Sequence, residues 1–128
     1  MQNIIDKLKN CGLETELYSE IYKIGGEQAL QRFIDLAVNN IKNRFEQLKD
    51  ACIKSDYAAL EGAAHSIRGS AMNLGNRDLA LTAEKFELLA EKKEREAFQA
   101  ICELEPLVIK IKALTGFTES DHLFEILG

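Results

Sequence analysis

The chain has 128 residues, 29% of them charged, and its 21 acidic and 16 basic side chains leave a formal net charge of −5. That length suits one domain with its own core. Charges of both signs mixed along the whole chain describe a solvated surface and argue against a dedicated nucleic-acid binder, which needs a basic patch.

One Pro, eight Gly and no Trp, beside abundant Ala, Leu, Glu and Lys, predict an all-α protein. The opening MQNIIDKLKNCG holds no apolar core of signal-peptide length, and no apolar run approaches the span of a bilayer, so a cytoplasmic protein is expected. Cys11, Cys52 and Cys102 are widely spaced and show no paired metal signature. Cys52 and Cys102 read as small buried hydrophobes in a reducing compartment.

In chain order, Ile4, Ile5 and Leu8 mark a short amphipathic turn ending at Gly12. Leu13, Leu17, Ile21 and Ile24 then share one face of a second piece, broken at Gly25 and Gly26. From Glu27 to about Lys54, apolar residues recur at three- and four-residue steps through Leu30, Ile34, Ile41, Phe45 and Leu48, which predicts one long helix, softest near Asn39 and Asn40. Ser55 and Asp56 supply N-cap chemistry for a third helix to Leu74, and Gly75 is a left-handed stop.

Asn76 can cap a fourth helix whose inward stripe is Leu79, Ala83, Phe86 and Ala90, and so short a connection makes helices three and four antiparallel neighbours. A last helix carries Ala97, Ile101, Leu104, Val108 and Ile111 and closes near Thr115 and Gly116. Pro106 inside it lacks the N–H that would bond Cys102, so a kink or break is expected. The sum is an antiparallel up-down four-helix bundle with short additional N-terminal helices over residues 1–116. A tail, 117–128, carries Leu123, Phe124, Ile126 and Leu127, and its arrangement the sequence leaves open.

The third helix holds the informative residues, in the stretch AAHSIRGSAMNLG. At about 100° per residue, Leu60, Ala63, Ala64, Ile67, Ala71 and Leu74 cluster opposite His65, which therefore faces out. Its own stripe is Ala58, Glu61, Gly62, Arg68, Gly69 and Met72. Each glycine costs a helix about 1 kcal/mol relative to Ala, so two within seven residues ask for a reason. A helical side chain covers the turn before its own Cα. One at 69 would lie across the ring and one at 62 would take its place, so both vacancies bare the imidazole. Arg68, one turn on, can reach a group attached to the ring, and a guanidinium matches phosphoryl oxygens. Ser70 and Asn73 could add hydrogen bonds nearby.

This stretch resembles the signature of histidine phosphotransfer (HPt) domains: a His, an apolar residue two on, Lys or Arg three on, Gly four on, a small residue, then Leu-Gly. His65, Ile67, Arg68, Gly69, Ser70, Leu74 and Gly75 fill those places in order. The resemblance covers roughly Gly12 to Thr115 and implies a phosphorelay intermediate. A receiver domain carrying an aspartyl phosphate docks beside His65, the ring nitrogen attacks in line, and the phosphoryl group later passes to another receiver. It implies receiver domains and a hybrid sensor kinase as partners, with Mg²⁺ supplied by the receiver and no cofactor held by this chain. No nucleotide-binding loop is visible, so no kinase activity of its own is expected. Neither nucleic acid nor a membrane is expected as partner, and the chain is expected to be a monomer.

Ala58, Glu61 and Met72 are the expected docking surface, Met72 as a soft apolar contact. In some family members a neutral polar residue of the next helix bonds the imidazole. The counterpart here is Glu87, which could fix the tautomer through the other ring nitrogen, although the sequence favours a plain solvated glutamate. His122 lacks such surroundings and reads as an ordinary tail residue. Two histidines cannot furnish the Glu-x-x-His pairs of a ferritin-like metal bundle. A bundle that docks partners without carrying phosphate stays open as the alternative.

Overall fold

The structure is a computed structural model that describes residues 2–10, 12–112 and 114. Expectations on Cys11, the side chain of Ile4, Thr115, Gly116 and the tail 117–128 with His122 fall outside the described residues. The chain is all-α there: α1 (Gln2–Asn10), α2 (Glu16–Ile53), α3 (Tyr57–Asn73), α4 (Arg77–Glu91), a 3-10 segment (Arg95–Gln99) and α5 (Ala100–Lys112).

Helices α2, α3, α4 and α5 form a closed ring, each packed on the next and α5 back on α2. Cross-helix contacts give the directions. Asn40 reaches Ser66 and Ser70, His65 reaches Glu87, and Lys85 reaches Glu103. The Cys52 thiol meets the backbone of Ile101, while Gln31 Nε2 donates to the Leu114 carbonyl. Cys52 late in α2 meets the start of α5 while Gln31 early in α2 meets the residue just past its end, so these two run antiparallel. The short turns after α2 and α3 make α3 antiparallel to α2 and α4 to α3. The core is the set of inward stripes, with Leu30, Ile34, Ile41, Leu48, Leu60, Ile67, Leu79, Phe86 and Leu104 fully buried.

The connections share one device. After α2, α3 and α4 a residue enters the left-handed region, Ser55 (φ 55°), Gly75 (φ 69°) and Lys93 (φ 57°). The next N–H then reaches back to a carbonyl of the last turn, as in Asp56 to Ala51, Asn76 to Ala71 and Glu94 to Leu89. Asp56 and Asn76 cap α3 and α4 by accepting from the N–H groups of Ala59 and Leu79. Ser and Lys tolerate the left-handed position at two of these ends. Gly75 cannot be replaced so cheaply, because a Cβ there would stand 2.2 Å from the carbonyl oxygen of Glu14, whose N–H donates to the Gly75 carbonyl.

The break predicted at Gly25 and Gly26 is present: within α2 the backbone leaves helical geometry at Gly26, whose φ of 75° and ψ of −163° lie in a region essentially reserved for glycine. Other expectations are corrected. The face assigned to the piece before this break is rotated: Ile24 is 89% exposed and Leu17 is exposed, whereas Tyr18 is fully buried. Leu13 precedes the helix that starts at Glu16, so it does not share its phase. Asn39 and Asn40 sit in unbroken helix, where Asn40 Nδ2 donates to Ser66 Oγ (3.1 Å) and Ser70 Oγ (2.6 Å).

The break expected at Pro106 does not occur; α5 runs through it, with Ala100, Leu104, Val108 and Ile111 buried on the far face. That inward line leaves Ile101 at its edge, half-buried, and Cys102 outside it, exposed; Cys52 is half-buried rather than buried. Ala97 is buried as expected, but in the 3-10 segment rather than in the helix.

The N-terminal region fastens the α3–α4 turn from outside the ring. Besides the Glu14–Gly75 bond, the buried Tyr18 hydroxyl donates to the Leu74 carbonyl. Burial pushes the Tyr18 phenol well above its ordinary range near pH 10. The folded form therefore holds its proton where the unfolded chain has lost it, and this contribution disappears as pH rises beyond 10. Tyr18→Phe should lower stability by about 1–3 kcal/mol at pH 7, because the Leu74 carbonyl loses its partner. Its stability should also fall less steeply with pH above 10 than that of the wild type. Denaturant titrations at pH 7 and across pH 9–11 check both.

Candidate functional site

α3 is an anchored platform. Asp56 caps its start, and Leu60, Ala63, Ala64, Ile67, Ala71 and Leu74 are buried along one face. On the opposite face the His65 side chain is 66% exposed. Ala58, Gly62, Gly69 and Met72 are exposed beside it, with Glu61 and Arg68 half-buried.

The ring is held from one side. Glu87, projecting from α4 and only 13% exposed, places Oε2 2.9 Å and Oε1 3.3 Å from Nδ1 of His65. Arg68 Nε lies 3.3 Å from Glu87 Oε1, and Arg68 Nη2 lies 3.1 Å from Nδ1. Nδ1 can donate to the carboxylate or accept from the guanidinium, not both. The carboxylate oxygen at 2.9 Å is nearer than the guanidinium at 3.1 Å, which favours the tautomer in which Nδ1 carries the proton and donates to Glu87, while Arg68 braces the carboxylate. The Nε2 lone pair is left for the exposed side of the ring.

Glu87 is thus not the solvated glutamate favoured on sequence. Arg68 lies one turn from the ring as expected, with its guanidinium between Glu87 and the Nδ1 edge. Ser70 turns toward α2 and bonds Asn40, and Asn73 is exposed without a bond to the ring.

The two glycines are open positions: a Cβ at Gly62 or Gly69 would meet nothing within 4 Å. Packing does not demand them. A Cβ alone at 62 would reach nothing, so the overlap with the ring expected for a side chain there is a matter of the atoms beyond Cβ. A shallow groove toward α2 is lined by Arg44, Gln47, Gly62, Ser66 and His65 itself. A second groove, between α3 and α4 nearer their turn, is lined by Arg68, Met72, Ala80, Leu81 and Glu84.

Sequence reasoning missed Leu81 on α4, which lines the second groove beside Arg68 and Met72; it is exposed, as are Leu88 on α4 and Leu36 on α2. The seven-residue step between Leu81 and Leu88, opposite the buried stripe, was the available signal. Among the described residues, no group of three His, Cys, Asp or Glu side chains could hold a metal ion, and no helix is long and apolar enough to cross a membrane.

An all-α bundle that displays one carboxylate-held imidazole on a bared helix face has the form of a phosphotransfer module. The chain belongs to the Hpt domain family, whose model matches residues 28–117. Members of this family take part in histidine phosphotransfer within two-component phosphorelays, interact with receiver domains, and are transfer modules rather than catalytic enzymes. Comparison with curated proteins and with solved structures gave no match.

Because both glycine positions are helical and unobstructed, Gly69→Ala should raise stability by about 0.5–1 kcal/mol, measured by thermal or urea unfolding.

Proposed function

We propose that His65 accepts a phosphoryl group from the aspartyl phosphate of a receiver domain and passes it to the aspartate of a second receiver. The observation that carries this reading is the exposed imidazole whose Nδ1 is occupied by Glu87, leaving Nε2 as the one nucleophilic ring atom. The Nε2 lone pair forms the P–N bond as the P–O bond to the receiver's aspartate breaks, and the aspartate leaves as a carboxylate. The ring, still protonated at Nδ1, becomes a phosphoimidazolium. The reverse displacement by another aspartate restores neutral His65. No proton needs to enter or leave, so positioning and charge stabilisation suffice.

Glu87 stabilises the positive ring through the Nδ1 hydrogen bond. It also repels the phosphoryl group, yet that group attaches at the far side of the ring, at about twice the distance and facing solvent, so the attraction to the ring prevails. Arg68 reduces the remaining repulsion by pairing with the carboxylate. The receiver brings Mg²⁺ and its acidic cluster, and docks over Ala58, Glu61 and Met72, where Leu81 extends the apolar contact. A hybrid sensor kinase supplies one such receiver. The chain works as a monomer in the cytoplasm.

Incubation with a phosphorylated receiver should label the chain in an acid-labile, alkali-stable form, and His65→Gln should abolish the label; a label persisting in that variant, or no label on the wild type, refutes the assignment. Glu87→Gln keeps an acceptor for Nδ1 but removes its charge. It should slow labelling about fivefold to tenfold without loss of the acceptor residue, as read by rapid-quench transfer assays.

A further inference from the structure

We propose that Arg44, on the α2 side of the groove beside His65, binds the phosphoryl group once it is on Nε2; the inference rests on the phosphoacceptor role of His65. The Arg68 guanidinium is engaged by the Glu87 carboxylate (3.3 Å) on the Nδ1 side of the ring. A dianionic phosphoryl group on Nε2, on the opposite edge of the ring, gains from a second cation on that side.

The groove on the other side of His65 holds Arg44 together with the carboxylates Glu46 and Asp50. Both carboxylates already have cations, Lys49 Nζ at 2.9 Å from Glu46 and Lys54 Nζ at 3.0 Å from Asp50. Arg44 is different. Its Nη1 donates to the neutral amide oxygen of Gln47 at 2.9 Å, an exposed contact between residues three apart. Exchanging that amide for phosphoryl oxygens replaces a neutral hydrogen bond with a charge-assisted, bidentate one.

The register of the helices sets the cation across from the ring. Asn40 bonds Ser66 and Ser70, fixing where α2 crosses α3. One turn further along α2 is Arg44, and one turn back along α3 is Gly62, so in antiparallel helices these two positions face each other. Between adjacent helices about 8–10 Å apart, the side chain that would fill the space between Arg44 and His65 is the one at position 62. It is absent, and open space surrounds the site of its Cβ. Gly62 thereby gains a purpose distinct from that of Gly69: it leaves the guanidinium a path to the ring.

The test uses the full chain, phosphorylated on His65 with phosphoramidate, from which phosphoryl passes to Nε2 and ammonia leaves. In NMR spectra of the wild type, the Arg44 Nε–H resonance, identified by its loss in Arg44→Gln, should shift downfield when the phosphohistidine signal appears. In Gly62→Gln it should stay unmoved. Transfer from a phosphorylated receiver should be about tenfold slower in Arg44→Gln and partly restored in Arg44→Lys, with unchanged unfolding temperatures because Arg44 is exposed. An unmoved Arg44 resonance beside a formed phosphohistidine, or a wild-type transfer rate in Arg44→Gln, overturns the inference while leaving the role of His65 standing. Failure of the wild type to form phosphohistidine overturns both.

Discussion

The hydrogen bond from Nδ1 of His65 to the Glu87 carboxylate joins the chemistry of the site to the packing of the bundle. It spans two helices, so it exists only while α3 and α4 hold their register, and it decides which ring nitrogen is free. A surface histidine without it would rotate and exchange tautomers. With it, the imidazole presents one lone pair in one direction from a helix whose opposite face is buried. Positioning of that kind is most of what a phosphoryl transfer asks of a protein.

That register is set at the α3–α4 turn, where three independent constraints meet. The left-handed Gly75 closes α3, Asn76 caps α4, and the N-terminal region crosses the turn so closely that Glu14 is bonded to Gly75. Tyr18 then fastens the Leu74 carbonyl in a fully buried position. The α1 region and the start of α2 contribute Ile5, Leu8, Leu13 and Tyr18 to the core and hold the end of the α3 platform.

Charge is distributed around the ring by side. On the α4 side a carboxylate and a guanidinium compensate each other against Nδ1. On the α2 side, the acidic residues of the groove are paired with lysines and one arginine rests on a neutral amide. On this face Glu46, Asp50 and Glu87 have paired cations although the chain carries a formal net charge of −5. The exposed Met72 and Leu81 supply uncharged contact area in the neighbouring groove.

Much of this is determined by the sequence alone. The inward stripes of α3 and α4, the caps Asp56 and Asn76, the stop at Gly75 and the outward direction of His65 follow from a 3.6-residue period and from backbone chemistry local to a few residues. Whatever depends on the phase between two segments was decided by tertiary structure. Leu13 misdirected the face of the following helix because it stands outside it, and Pro106 was carried through α5 by a buried face on its far side. The partners of the ring belong to the same group. That Glu87 holds Nδ1, that Arg68 turns to Glu87, and that Arg44 stands across from Gly62 are consequences of how two helices are set side by side. Periodicity along one helix carries no information about the height at which its neighbour meets it.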